Sequence, residues 1–344
     1  MSTGKEIKAG FAKASTWATA VEIGQDDVLL ITKENISWSR EQLLDDSAGQ
    51  QFHRVADQGL VTCKGKLEAY LRYEGLEVML AMAMGSAANP VAKGDTGWEH
   101  TFNLAPSTEG LFGTLAVLKT QAVHEFPSVK VGGMTLEAQA GQAFKLTFDL
   151  LCNDRNILTT SGTNTISHMN SLSTPAPRLR VLFSQARILM NDAAAGELSA
   201  SDAIHPGSFS LYFSRGLEPE YLAGGNDRIA EPVESSFPEL KLSLRLPSYS
   251  TNAFLEALGE GGLKKMMIEC VGPEIESGVN YTFRLIMPSV LITKAETPVE
   301  GPGKIPHPID ATLLAPDSPR AGMEAVSAPL CIQLINTRST NPLG

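Results

Sequence analysis

The sequence predicts a mainly-β protein: two tandem, duplicated antiparallel β-sandwich or barrel domains, each with a short flanking α-helix. Their expected bounds are 1–165 and 178–344, with a linker at about 159–177. Three observations predict this class. One residue pattern occurs twice at near-constant spacing. Each copy is followed by apolar–polar alternation of period two. Each alternating run is followed by a short segment of helical period ended by glycine. A chain of 344 residues has room for two such units.

The first copy of the pattern reads Trp38-Ser39-Arg40, Ala48-Gly49 and Arg54-Val55-Ala56-Asp57. The second reads Phe213-Ser214-Arg215, Ala223-Gly224 and Arg228-Ile229-Ala230-Glu231. The spacing between copies is 175 residues, then 174, so one deletion relates them. A later block repeats at a spacing of 161: Pro127-Ser128-Val129 and Pro288-Ser289-Val290. Charge is shared equally too, each half carrying 14 basic and 19 acidic side chains.

The elements follow in order. Residues 61–71 roughly alternate, and 240–246 alternate strictly, leucine against Lys, Ser and Arg. A half-buried antiparallel strand needs that period. Helices are expected at 74–84, ended by Gly85, and at 251–258, capped by Ser250 or Thr251 and ended by Gly259. The insert 86–107 is rich in Gly, Asn and Pro and reads as a loop. Further strands are expected at 143–151, 178–190 and 309–314. The Pro- and Gly-rich stretches 297–308 and 316–322, with residues 1–8, read as segments that order only on docking.

Composition excludes several classes. The net charge of −10 and the absence of a basic run argue against a sequence-independent grip on nucleic acid. Residues 1–15 are polar and lack the apolar core of a secretory leader, and no apolar stretch is long enough for a membrane anchor. Cys63, Cys152, Cys270 and Cys331 are widely spaced, which fits a reducing cytoplasm better than a disulfide framework. No catalytic, cofactor or metal motif is present. There is no GxSxG, the six histidines make no HExxH pair and read as surface or loop groups, and Asp26-Asp27 and Asp45-Asp46 read as solvated turns. Gly301-Pro302-Gly303-Lys304 lacks phosphate-loop spacing, and Pro302 lacks the N–H such a loop uses.

Two loops stand out. Segment 41–53 offers Leu43, Leu44, Asp45, Asp46 and Phe52. Its counterpart 216–227 offers Leu217, Glu218, Tyr221 and Leu222. Loops of this length that mix acids with large apolar side chains either fold over their own domain or bury their tips in a neighbouring subunit.

Taken together, several segments resemble the tail tube protein family of long, non-contractile tailed bacteriophages. They are residues 10–19 (Gly-Phe-Ala-Lys-Ala-Ser-Thr-Trp-Ala-Thr) leading into Val21-Glu22-Ile23, the 61–71 strand with the helix before Gly85, and residues 278–288 followed by Val299-Glu300-Gly301-Pro302-Gly303. The resemblance implies a small β-sandwich or barrel flanked by a helix, and homo-oligomeric rings stacked as a hollow tube. It also implies a long hairpin loop touching the next ring, at 41–53 and 216–227 here. The implied partners are further copies of the chain and the tape measure, tail terminator and distal tail proteins, with genomic DNA passing through without specific binding. The implied place is the virion tail, after a stay in the host cytoplasm. An acidic wall would keep DNA from sticking. Duplicated domains imply a ring of three chains with pseudo-sixfold symmetry, closed by pairing of sheet edges. The duplicated length argues against the shorter tubes of contractile tails and secretion machines, and against a tail terminator. The alternative is a non-enzymatic ligand- or receptor-binding pair of β domains.

Overall fold

In the computed structural model of the chain, which describes residues 4–176, 179–224, 226–299 and 301–344, the alternating segments pair into antiparallel sheets. The first half holds β1 (Lys8–Ala14), β2 (Ser37–Leu44), β3 (Ala56–Tyr70), β4 (Gly97–Asn103), β5 (Phe112–Lys119), β6 (Ala122–Gln139) and β7 (Lys145–Cys152). The second holds β8 (Ala186–Asp192), β9 (Ser208–Ser214), β10 (Glu239–Leu246), β11 (Leu263–Glu276), β12 (Val279–Ala295), β13 (His307–Leu313) and β14 (Cys331–Asn336). Three α-helices accompany them among the described residues: α1 (Glu77–Met84), α2 (Ile166–Ser171) and α3 (Ala253–Glu260).

Alternation places the core. β10 buries Leu240, Leu242, Leu244 and Leu246 and turns Lys241, Ser243 and Arg245 away. Each buried leucine contributes roughly 1.5–3 kcal/mol. β3 does the same with Val61, Cys63, Leu67 and Ala69. The main core draws on both halves, joining Met134 and Phe148 to Phe213, Leu242 and Phe283. α1 is apolar on nearly every side and buried on nearly every side, as such a helix must be. Glu77 is its exception, and it is held by Asn336 Nδ2 at 2.6 Å and Arg338 Nη1 at 3.1 Å.

Eight strands form one continuous antiparallel sheet in the order β2-β3-β7-β6-β9-β10-β13-β12. The long strands β6 and β12 serve two layers. Their first parts pair with β5 and β11, which carry β1 and β8 at their far edges. Their last parts enter the eight-stranded sheet. A bulge in each strand makes the change of layer possible.

The two halves match in register as well as in order. Val129↔Cys152, Val131↔Leu150 and Gly133↔Asp149 pair β6 with β7. Val290↔Leu313, Ile292↔Ala311 and Lys294↔Asp310 pair β12 with β13, each residue 161 positions later, with the bulge at the same step. Trp38↔Cys63 and Phe213↔Leu240 hold equivalent places in their ladders. The seam between halves is β6–β9, where Gly133 is required: a Cβ there would lie 2.7 Å from the Phe213 carbonyl oxygen.

The structure corrects several sequence expectations. Segment 86–107 is not a loop. It contains β4 and a short strand, Val91–Lys93, because β14 from the far C-terminal end pairs with β4. α3 runs through Gly259 to a left-handed Gly261 (φ 68°), and its cap position is Asn252, not Ser250 or Thr251. The region 159–177 contains α2, whose Thr165 hydroxyl accepts the His168 N–H at 3.2 Å. The strand expected at 178–190 starts at Ala186, after a 3-10 turn at Phe183–Gln185; Pro177 and Arg178 lie outside the described residues, as do Met1–Thr3, Gly225 and Glu300. Segment 316–322 is tied down by Arg320 to Ser289 and Asp317, and by Lys265 to the Ala321 carbonyl. Two histidines, His100 and His307, are fully buried rather than at the surface. All four cysteines are free and buried.

Candidate assembly surfaces

The first projecting surface is the far end of the β2–β3 hairpin. The two strands stay paired out to Leu44↔Ala56, and nearly every residue from 41 to 60 is exposed. Leu43 and Leu44 are about half exposed and Phe52 is 79% exposed. Asp45 organises the tip. Its carboxylate accepts the Ser47 N–H (3.0 Å), the Ser47 hydroxyl (2.5 Å) and Gln50 Nε2 (2.8 Å). Those bonds hold its pKa below the usual aspartate value, the Ser47 hydroxyl contributing most. His53 closes the turn against Asp46 at 3.4 Å.

The counterpart after β9 behaves differently. Leu217–Glu218 makes a two-residue ladder with Val233–Glu234, and the rest lies across the first half of the chain. Beyond the end of β7, the Val61 N–H donates to the Asp227 carbonyl at 2.8 Å, and the Tyr221 hydroxyl donates to the Val61 carbonyl at 2.8 Å. Arg228 reaches Asp154, Arg40 reaches Asp227, and buried Lys130 reaches Glu231 at 2.5 Å. Trp17 donates its indole N–H to the Ile229 carbonyl at 3.2 Å. Leu217 and Tyr221 are therefore half-buried, whereas Glu218 and Leu222 stay exposed.

Glu234 pins the base of this second arm. It accepts the Thr108 N–H (2.8 Å) and hydroxyl (2.7 Å) and lies 3.6 Å from Arg215. Burial pushes its carboxyl up, but the bonds from Thr108 and Ser107 outweigh that and leave the pKa below the usual glutamate value. A carboxyl with a depressed folded pKa stabilises above its unfolded value and loses that stabilisation as pH falls through the folded value. Protection against hydrogen exchange across 216–238, corrected for the intrinsic rate at each pH, is therefore expected to be lost on acidification before protection of the core strands is. Glu234→Gln is expected to bring that loss of protection to neutral pH. Unchanged exchange in Glu234→Gln would remove Glu234 as the pin.

The remaining surfaces are strand edges. β2 pairs only with β3, and the end of β12 pairs only with β13, so each terminates the eight-stranded sheet among the described residues. Open edges are where another strand can add. The amino-acid sequence led to sheet edges that pair but not to which strands hold them, nor to the β6–β9 seam, because alternation reveals a strand's faces but not its neighbours. Among the described residues no group of three or more His, Cys, Asp or Glu is placed to hold a metal ion, and no helix is long and apolar enough to cross a membrane.

A continuous sheet open at both ends, with one projecting hairpin and one folded arm, leaves two strand edges whose backbone groups have no strand partner among the described residues. The family model described as phage tail tube protein matches residues 4–313 of the 344, and the chain belongs to that family. No curated protein matches it. Membership makes it a structural protein of the virion tail and implies self-assembly into a tube with other tail proteins.

Proposed function

We propose that three copies of this chain close into a ring, that rings stack into a hollow tube, and that the tube conducts DNA during ejection. One observation carries the reading: each chain presents an eight-stranded sheet with two open edges, and within it one half already docks edge-to-edge on the other. The equal registers of the two halves support a duplicated unit, with about 1–165 and 178–344 as its copies. Two units per chain then make a pseudo-sixfold ring from three chains, through heterologous contacts that close. Eight strands from each chain, at ~4.8 Å spacing, give a barrel about 37 Å across before tilt.

The polar face of the eight-stranded sheet lines the bore in this reading. That face is not a sheet of negative charge. Its acids have basic neighbours: Lys66–Asp149, Lys145–Glu68, Arg245–Asp310 and Lys294–Glu296. Hydroxyls such as Thr135, Ser210 and Thr312 lie between them. Paired charges leave little net field to hold a polyanion, so low affinity for DNA follows from local neutrality rather than from the overall −10.

Electron microscopy of the concentrated protein tests the ring. Rings with threefold symmetry and three full chains are expected. Six full chains in true sixfold symmetry would overturn the duplication argument. Monomers alone that bind a receptor or small ligand would move the protein to the binding-module class.

A further inference from the structure

The internal seam is a template for the seam between chains. In β6–β9 the pairs are Ser214↔Gly133, Phe213↔Met134, Tyr212↔Thr135 and Leu211↔Leu136. Matching ladders place Trp38 where Phe213 lies, and Lys294 where Gly133 lies. We propose, resting on the ring reading above, that β2 of one chain adds antiparallel to the end of β12 of a second copy. The register is Ser39↔Lys294, Trp38↔Ala295, Ser37↔Glu296 and Ile36↔Thr297.

The backbone is already aimed for this. Asn35 donates its N–H to the Lys66 carbonyl and Ser37 pairs with Lys64, so both face β3 and the alternate residues Ile36 and Trp38 face outward. On the other edge the Glu296 N–H donates to the Pro308 carbonyl at 3.2 Å. Pro308 has no N–H to return, and buried His307 supplies one instead, Nδ1 lying 2.8 Å from the Glu296 carbonyl. Glu296 is thereby turned inward, and Ala295 and Thr297 outward. Side-chain size also fits, since the large Trp38 meets the small Ala295. The edge is guarded while it waits. The outward N–H of Ile36 donates to the Glu34 carboxylate at 2.6 Å, and Lys119 holds that carboxylate at 2.6 Å. Docking exchanges this side-chain acceptor for the Thr297 carbonyl, which discourages stray strands from adding.

Disulfide trapping tests the register. Ser37 and Glu296 are both exposed and would form a non-hydrogen-bonded pair, with Cα atoms about 4.5 Å apart, inside disulfide range. The native cysteines are buried and leave a low background. Oxidised assemblies of Ser37→Cys/Glu296→Cys are expected to yield covalent trimers, at least ten-fold more than the off-register pair Asn35→Cys/Glu296→Cys. Equal or reversed yields in rings seen by microscopy would overturn the register while leaving the ring intact. A wild-type protein without rings would overturn the ring reading itself. As a second variant, Thr297→Pro removes one outward N–H without touching β13. It is expected to fold with unchanged circular dichroism and to need at least ten-fold more protein to assemble; unchanged assembly would overturn the seam.

Discussion

Replacing Arg215 with methionine is expected to destabilise the chain by about 3–5 kcal/mol, the largest effect of any single substitution considered. Its guanidinium is fully buried where the two halves meet. Nε donates to the Ala83 carbonyl at 2.9 Å, in the last turn of α1, and Nη1 donates to the Ala105 carbonyl at 3.0 Å. The group lies 5.5 Å from the Phe213 ring centre and 3.6 Å from Glu234. Burial lowers its pKa to about 10, with Glu234 pulling the other way, so it remains charged at neutral pH. Methionine fills much of the volume but takes the donor from the buried Ala83 carbonyl and the part-buried Ala105 carbonyl and leaves Glu234 without this cation. Denaturant unfolding followed by circular dichroism measures the loss, and a variant within 1 kcal/mol of wild type, about a factor of five in the equilibrium, would show that the site is not a structural pin. Lysine at 215 is expected to recover only part of the loss, because one ammonium cannot reproduce the planar fork.

The second large effect concerns assembly rather than folding. Leu43→Glu/Leu44→Glu/Phe52→Glu is expected to leave the monomer folded and to shorten or abolish tubes. All three side chains are exposed and contribute no core contact, so the fold loses little. Anchors at the centre of an interface commonly contribute 2 kcal/mol or more each. Burying three carboxylates in their place costs further, so a reduction in tube elongation of more than about 100-fold follows. Sedimentation and tube lengths in micrographs measure it. Full-length tubes from the triple variant would show that the hairpin tip takes no part in stacking. Leu222→Glu is expected to matter less, since its arm is held by its own chain through Tyr221, Asp227 and Arg228.

The unequal arms show why similar sequences end differently. Both loops carry acids and apolar tips, and both follow the same Trp/Phe-Ser-Arg pattern. The second arm finds a first half beside it within the chain, and Val61, Lys130 and Asp154 take up its backbone and charges. Among the described residues of one chain the first arm has no such neighbour. Arg40 at its base instead clasps Asp227 of the other arm. A difference of surroundings within the folded chain, not of composition, separates them.

Much of the fold was present in the amino-acid sequence alone. Strict alternation at 240–246 and looser alternation at 61–71 determined two strands and the face each buries, because burial has the period of the pleat. Gly85 determined the end of α1, since the left-handed conformation it adopts (φ 76°) suits glycine. The spacing of 161 recurs on both strands of the β6–β7 and β12–β13 ladders, and the spacing of 175 relates Trp38 to Phe213, whereas their ladder partners Cys63 and Leu240 lie 177 apart, an offset the motif did not show. What tertiary structure alone decided is partnership. β4 became a strand because β14 arrived from more than two hundred residues away, and His100 became buried with it. The β6–β9 seam, the Glu34 guard on Ile36 and the folded second arm depend on contacts between distant segments. Local residue pattern sets which groups a strand exposes; which strand meets them is set by the free energy of the whole packed sheet.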